Sequence, residues 1–313
     1  MPRILFAATE DDWHDYRHCL PKALQDKGLH AELIPYHEGL DPALVEYIVY
    51  APAGPLQDFS PYTKARAVLS LWAGVEKIVG NTTLTQPLCR MVDEGLEKGM
   101  VEWVLGHVMH HHLGLGFFGA HQDGVWRNDR AAPLASDRKV TVLGLGALGQ
   151  ACARMLAQVG FDVTGWSRSA RALDGLTCLH GEAGLTQALS SAEVLVTILP
   201  QTPETTNLLD AARLALLPEG AVILNPGRGT VLVDDALLAA LDAGQIGHAV
   251  LDVFRQEPLP EAHPFWAHPR VTVTPHIAAA TRPETASKMV AENIARAEAG
   301  QPLLHQVNRT RGY

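Results

Sequence analysis

Cysteine is scarce in this chain of 313 residues, and the four that occur, Cys19, Cys89, Cys152 and Cys178, stand far apart. No C-x-x-C pair appears, which argues against a zinc site or a thiol redox motif and leaves reduced, mostly buried thiols. Long hydrophobic runs are also missing. None reaches the roughly 18 residues that a membrane span requires. The opening stretch MPRILFAATEDDW lacks a signal peptide's apolar core and small-residue cleavage site. It reads as a first strand and a loop, and cytoplasm is the expected location. Positive charge is in deficit, with 25 Lys plus Arg against 34 Asp plus Glu and a formal net charge of −9. That balance disfavours non-specific nucleic-acid binding. Low-complexity segments and repeats of 20 to 50 residues are absent as well, which excludes solenoids and arrays.

What is present is a globular composition, 47% hydrophobic and 19% charged, in a length that suits one large or two ordinary domains. Short apolar runs alternate with helical stretches. RILFAAT, HAELIPY, VEYIVYAP and AVLSLWAG read as strands, the last two stopped by Pro52 and Gly74, and HCLPKALQDKGL reads as a helix ending at Gly28. A second series is more regular. KVTVLGLG, FDVTGWS, EVLVTILP, AVILNPG and GHAVLDVF are strands, followed by RVTVTPH. ALGQACARMLAQVG, LTQALSSA, DAARLALLP and VDDALLAALDAGQ are the helices between them. The alternation predicts an α/β protein with two doubly wound parallel sheets. A last helix opens after Pro283 and ends at Gly300. Between the two series, EKGMVEWVLGHVMHHHLGLGFFGAHQDGVW reads as a long helix and an irregular segment rich in Gly and aromatics. Such a connector suits packing against a second subunit.

The turn GLGALG places Gly144, Gly146 and Gly149 in G-x-G-x-x-G spacing after a strand and at the start of a helix. That context favours a dinucleotide fingerprint over an ordinary glycine-rich turn. Gly144 permits the tight turn, Gly146 admits a pyrophosphate, Gly149 lets helix and strand pack closely, and the helix N-terminus faces the phosphates. The acid normally found about 20 residues on, where it holds a ribose 2′-hydroxyl, is missing. Ser167, Arg168 and Ser169 stand there, with Arg171 close behind. A guanidinium and hydroxyls suit a 2′-phosphate, which a carboxylate would repel. The alternative is an exposed loop with one arginine. The expected cofactor is NADP(H), with NAD(H) bound more weakly.

Three more residues follow predicted strands: Arg228 after AVILNP, Glu257 in DVFRQEPLP and His276 in VTVTPHIAAAT. Singly, each has an ordinary explanation: a surface arginine, a loop acid, one of 15 histidines. Together they fall at the carboxyl ends of strands, where ligands bind in such sheets. His107 and His111, at i and i+4 in the connector, could face one ion. However, a zinc site wants at least three ligands and no nearby acid or Cys completes the set. No metal is expected, and these histidines are read as exposed or interfacial.

GLGALG, LPQTPET, NPGRGTVLVD, LDVFRQEPLP and PRVTVTPHIAAAT together resemble the D-isomer-specific 2-hydroxyacid dehydrogenase family, from about residue 40 to the C-terminus. GWSRS and RMVDEGLEKGMVEWV are similar to its glyoxylate/hydroxypyruvate reductase branch, which favours NADPH. The resemblance implies a Rossmann-type cofactor domain at 98–278. It also implies a flavodoxin-like substrate domain at 1–97, completed by 279–313, and a homodimer through the 100–130 connector. It implies that Arg228 clamps the substrate's carboxylate and carbonyl, that His276 is the acid/base, and that Glu257 is the acid paired with it. Asp252 would bond the nicotinamide carboxamide, or else serve only as a buried loop cap. Ala147, Leu148, Leu199, Pro200, Thr205, Pro226 and Gly227 would line the cofactor. Backbone N–H groups of Ala73 and Gly74 would hold the substrate carboxylate, beside Trp72, which stands where a small residue is common. The expected reaction is NADPH-dependent reduction of glyoxylate or hydroxypyruvate. The alternatives are a larger 2-keto acid or a non-catalytic dinucleotide sensor. A formate dehydrogenase is disfavoured, because that branch pairs its histidine with Gln where this chain has Glu257.

Overall fold

The computed structural model describes residues 1–309 and 312. The chain divides into two units, Met1–Leu96 with the chain from Thr281 onward, and Glu97–Ala280.

In the first unit, strands β1 (Arg3–Ala7), β2 (Glu32–Pro35), β3 (Tyr47–Tyr50), β4 (Ala67–Ser70) and β5 (Leu88–Cys89) form a parallel sheet ordered β2-β1-β3-β4-β5. That order is the flavodoxin-like one. Helix α1 (Glu10–Asp26) starts eight residues before the predicted HCLPKALQDKGL. Thr9 and Asp12 form a reciprocal capping box, with Asp12 N–H donating to Thr9 Oγ1 at 3.1 Å and Thr9 N–H to Asp12 Oδ2 at 3.0 Å. These bonds satisfy donors that the start of a helix leaves open. From sequence the acidic run reads as loop, because its polarity hides a T-x-x-D start signal. Strand β4 also ends earlier than expected. The Ser70 hydroxyl accepts from Trp72 N–H and donates to Trp72 C=O, both at 3.1 Å, and turns the chain four residues before Gly74. The segment Trp72–Gly74 is therefore a loop at the carboxyl end of β4.

Helix α2 (Glu94–His112) leads into the second unit, where a short α3 (Leu115–Ala120) follows. The second sheet contains β6 (Lys139–Leu143), β7 (Asp162–Ser167), β8 (Thr177–His180), β9 (Val194–Thr197), β10 (Ala221–Asn225), β11 (Ile246–Leu251) and β12 (Val271–Val273). All pairings are parallel and the order is β12-β11-β10-β9-β6-β7-β8. This is the Rossmann order with one further strand, and it reverses between β6 and β9. Helices α4 (Ala147–Val159), α5 (Gly181–Ser191), α6 (Ala211–Leu214) and α7 (Asp234–Asp242) cross between strands. The predicted helix DAARLALLP shrinks to the single turn α6, capped by Asp210 Oδ1 accepting from Arg213 N–H at 2.9 Å.

Leu143, Leu195, Ile223, Leu251 and Leu241 pack in one buried cluster, and Val140, Val142, Val196, Leu224, Val250 and Leu156 in another. Alternate residues of the same strands enter different clusters, so both sheet faces are covered. That is why these strands read as continuous apolar runs. Each such side chain contributes about 1.5–3 kcal/mol on burial. The chain returns to the first unit in α8 (Pro283–Glu298), which packs on α1. Tyr16, Leu20, Ala23 and Leu24 form the buried stripe of α1, and Lys27 reaches Glu292 of α8 at 2.6 Å.

Candidate active site

The glycine turn after β6 divides its labour as the spacing predicts. Gly144 has φ 103°, and a Cβ there would lie 2.4 Å from the Ile198 carbonyl oxygen. A Cβ on Gly149 would lie 1.7 Å from the Gly144 carbonyl oxygen. Gly146 differs, because a Cβ there would meet only open space. It is the N-cap of α4 and supplies no side-chain cap, so the first-turn N–H groups face that opening. Ala147 and Leu148 provide them. The cradle fits a pyrophosphate.

At the end of β7 the Ser167 hydroxyl donates to Ser169 C=O at 2.8 Å, which directs its proton into the turn. Arg168 is exposed and stands 3.7 Å from Glu204 Oε2. The Thr202 hydroxyl holds the Glu204 carboxyl below its ordinary range, and the Arg168 charge adds to that effect. Leu199 is buried, and in the same loop the Thr205 hydroxyl donates to Pro200 C=O at 2.6 Å and accepts from Thr202 N–H at 2.8 Å. Thr205 thus fixes the turn beginning at Pro200.

The ends of β10, β11 and β12 bring Glu257 and His276 into contact, with Arg228 near enough for its charge to act on Glu257. His276 Nδ1 and Glu257 Oε2 are 2.8 Å apart, and Phe254 N–H donates to Glu257 Oε1 at 2.9 Å. Partial burial alone would raise the Glu257 carboxyl. The bonds from His276 and Phe254, with the charges of His276 and Arg228, outweigh that and hold it below the usual carboxylate range. Engaging Nδ1 leaves Nε2 as the outward nitrogen, and half of the His276 side chain remains exposed, at 51%. One Arg228 Nη donates to Gly227 C=O at 2.7 Å.

His276 occupies the left-handed region, φ 54°, which costs a non-glycine residue about 1–3 kcal/mol. Asp252 supports it. This fully buried carboxylate accepts from the Thr274 hydroxyl at 2.6 Å, from Ile277 N–H at 2.9 Å and from Ala278 N–H at 2.9 Å. Its carbonyl accepts from His276 N–H at 2.8 Å. Asp252 thus caps the loop that carries His276. Asn225 does the same for Arg228: its side chain donates to Arg228 C=O at 3.0 Å and accepts from Gly227 N–H at 3.2 Å and the Thr197 hydroxyl at 2.8 Å. Asn225, Thr197 and Glu204 lie outside the sequence-based set. Thr197 and Asn225 are the last residues of β9 and β10 and lie inside runs that read as apolar strands; their polarity was the available signal.

Trp72, Ala73 and Gly74 belong to the other unit. Trp72 is 39% exposed, with Lys77 Nζ 5.6 Å from the ring centroid. Among the connector histidines, His110 is exposed as expected, but His111 and His112 turn inward. His112 is buried against Phe161, with ring centroids 5.0 Å apart, and the His111 ring lies tilted against His248, with centroids 4.6 Å apart. The cause is the α2 stripe Val104, Val108, His111/His112, which faces the sheet at helical spacing. Among the described residues, no three His, Cys, Asp or Glu are grouped to hold a metal, and no helix is long and apolar enough to cross a membrane.

A glycine cradle at the strand-order reversal, with an Arg, Glu and His on the same sheet's carboxyl edge, defines a dinucleotide-linked oxidoreductase of 2-keto or 2-hydroxy acids. Residues 108–278 match the family model for the D-isomer specific 2-hydroxyacid dehydrogenase, NAD binding domain, and the chain belongs to that family. It is an NAD(P)-dependent oxidoreductase. It is 37% identical over 275 residues to glyoxylate/hydroxypyruvate reductase A of Yersinia enterocolitica, covering 85% of this chain and 87% of that one. Among solved structures it is similar to a D-isomer specific 2-hydroxyacid dehydrogenase from Xanthobacter autotrophicus Py2 in complex with NADPH and MES, with TM-score 0.91, 39% identity and coverage of 100% and 99%. It is also similar to the NADPH-dependent glyoxylate/hydroxypyruvate reductase of Sinorhizobium meliloti in complex with NADP and sulfate, with TM-score 0.88, 33% identity and full coverage of both chains.

Proposed function

We propose that this chain reduces small 2-keto acids with NADPH, converting glyoxylate to glycolate and hydroxypyruvate to D-glycerate. The reading rests above all on the 2.8 Å His276–Glu257 pair beside Arg228. The substrate class and the NADPH preference are supported by the Yersinia and Sinorhizobium relatives and by the GWSRS turn.

When bound, the nicotinamide supplies the hydride. Gly144, Gly146, Ala147, Leu148 and Gly149 would hold its pyrophosphate, and Arg168 with Ser169 the 2′-phosphate. Leu199, Pro200, Thr205, Pro226, Gly227 and Asp252 would line the remainder. Arg228 would grip the substrate carboxylate and polarise the adjoining carbonyl with its planar fork. Backbone N–H groups of Ala73 and Gly74 would contribute from the first unit, with Trp72 limiting side-chain size. His276, protonated, would pass the Nε2 proton to the carbonyl oxygen and become neutral while Glu257 stays a carboxylate. Glu257, bonded to Nδ1, would fix the ring.

In this reading, the first unit takes the substrate and the second the cofactor. Homodimerisation through the 100–130 connector is supported by the exposure of Leu115, Val125 and Trp126. Four unpaired cysteines suit a reducing cytoplasm.

His276→Ala is expected to cut kcat by about 100-fold or more, the scale of general acid catalysis, while NADPH binding followed by fluorescence is retained. Unimpaired turnover in that variant would remove His276 as proton donor.

A further inference from the structure

The loop Asp252–Pro258 carries Glu257, yet on one side it borders an open cavity of about 330 Å³ lined by Val233, Asp235, Leu238, His263 and Pro264. Packing does not fill that side. What spans it is Arg255, two residues before Glu257. Arg255 Nε donates to Asp234 Oδ1 at 3.3 Å, at the start of α7. Its Nη2 donates to Asn207 Oδ1 and to the carbonyls of Leu232 and Thr230, the last at 3.5 Å. Thr230 and Leu232 belong to the segment that begins at Arg228. Asn207 N–H itself donates to Thr230 C=O at 2.8 Å, so the guanidinium closes a network around that segment. The two segments also meet at their backbones, because a Cβ on Gly229 would lie 2.0 Å from Phe254 carbonyl carbon. The other titratable groups near Arg255 are His263, whose Nε2 is 3.7 Å from the other Asp234 oxygen, and Asp235, which adjoins Asp234 in sequence.

We propose that Arg255 is a positioning residue for catalysis, clamping the Glu257 loop to the Arg228 segment so that the His276–Glu257 pair and the Arg228 guanidinium keep one mutual geometry. This inference rests on the roles given to Arg228, Glu257 and His276 above. A guanidinium is suited to the task because the N–H groups of Nε and Nη2, spread in one rigid plane, reach the Asp234 carboxylate, the Asn207 amide oxygen and the Leu232 and Thr230 carbonyls together. A lysine ammonium offers three donors from one point.

The test uses the full chain with Arg255→Met, Arg255→Lys and, as a variant that leaves Arg255 itself intact, Asp234→Asn. The readouts are steady-state kinetics with glyoxylate and NADPH across pH, and NADPH binding by fluorescence. Misplacement of the catalytic pair is expected to lower kcat in Arg255→Met by about 10- to 100-fold, with NADPH affinity unchanged. The bond and charge of His276 hold the Glu257 carboxyl low, so loosening their pair lets it rise and shifts the acid limb of kcat/KM to higher pH. Arg255→Lys should recover part of both effects, and Asp234→Asn should show a smaller shift in the same direction. An unchanged pH profile and kcat in Arg255→Met overturns the inference. So does a loss of activity that tracks loss of folded protein, with no pH shift in Arg255→Lys or Asp234→Asn. Glu257→Gln is the control for the underlying site: if it leaves the acid limb where it was, the roles of Glu257 and His276 fall, and the inference with them.

Discussion

At the residue scale, the three fingerprint glycines make separable demands. A methyl on Gly149 would overlap the Gly144 carbonyl oxygen at 1.7 Å, in the contact that seats α4 on β6. A methyl on Gly146 would meet no atom of the protein and would enter only the space assigned to the pyrophosphate. Overpacking of a tight contact costs about 1–3 kcal/mol, so Gly149→Ala is expected to lower the thermal midpoint by several degrees. Gly146→Ala should leave the midpoint unchanged and weaken NADPH binding at least severalfold. Equal stability loss in both variants would contradict the assignment. These roles were legible in the sequence because each depends on spacing after an apolar strand. The Asn225 and Asp252 networks were not, since they depend on which strand ends become neighbours. Nor was the inward turn of the Ser167 hydroxyl, which a local backbone acceptor decides.

At the element scale, α2 presents histidines to the second sheet where a purely apolar stripe would be ordinary. Burial, then the nearby His248, pulls His111 down to about 3, and burial, then His110, His268 and His107, pulls His248 down to about 4. The folded chain therefore keeps both rings neutral below the pH at which the unfolded chain protonates them, near 6.5. Stability conferred by the neutral pair is complete above about pH 6.5 and declines as pH falls below it toward the folded values. The thermal midpoint should drop between pH 6.5 and 5, and His111→Leu should make that drop shallower. An equally steep fall in the variant would show that the pair does not set it. Sequence periodicity correctly reads a long connector helix, but it could not tell which face was inward. The sheet partner, His248, is distant in sequence, and a histidine suits an exposed face as readily as a half-buried one. Strand β5, two residues long, is too short to be read, and β8, TCLH, lies half exposed and lacks the continuous apolar run that marks the others.

At the scale of the whole molecule, two parallel sheets with different strand orders each build their own core. The second sheet reverses direction between β6 and β9, and the glycine cradle lies at that reversal. The fold class could be read from the sequence because strands covered on both faces are apolar throughout and their crossover helices are amphipathic. Substrate identity could not, because a pocket separates neighbouring acids by only about 1–3 kcal/mol per methylene. The central claim, reduction of small 2-keto acids with NADPH, is tested most directly by loss of nicotinamide absorbance. NADPH and NADH should be run side by side against glyoxylate and hydroxypyruvate, with the wild-type chain and Arg168→Asp. The account predicts rapid oxidation with both acids and preference for NADPH in the wild type. It also predicts a shift of that preference toward NADH of about 10- to 100-fold in Arg168→Asp, the value of a charge-assisted hydrogen bond replaced by repulsion. Absence of turnover with either cofactor would contradict the reductase assignment, and an unchanged cofactor ratio in Arg168→Asp would show that this arginine does not read the 2′-phosphate.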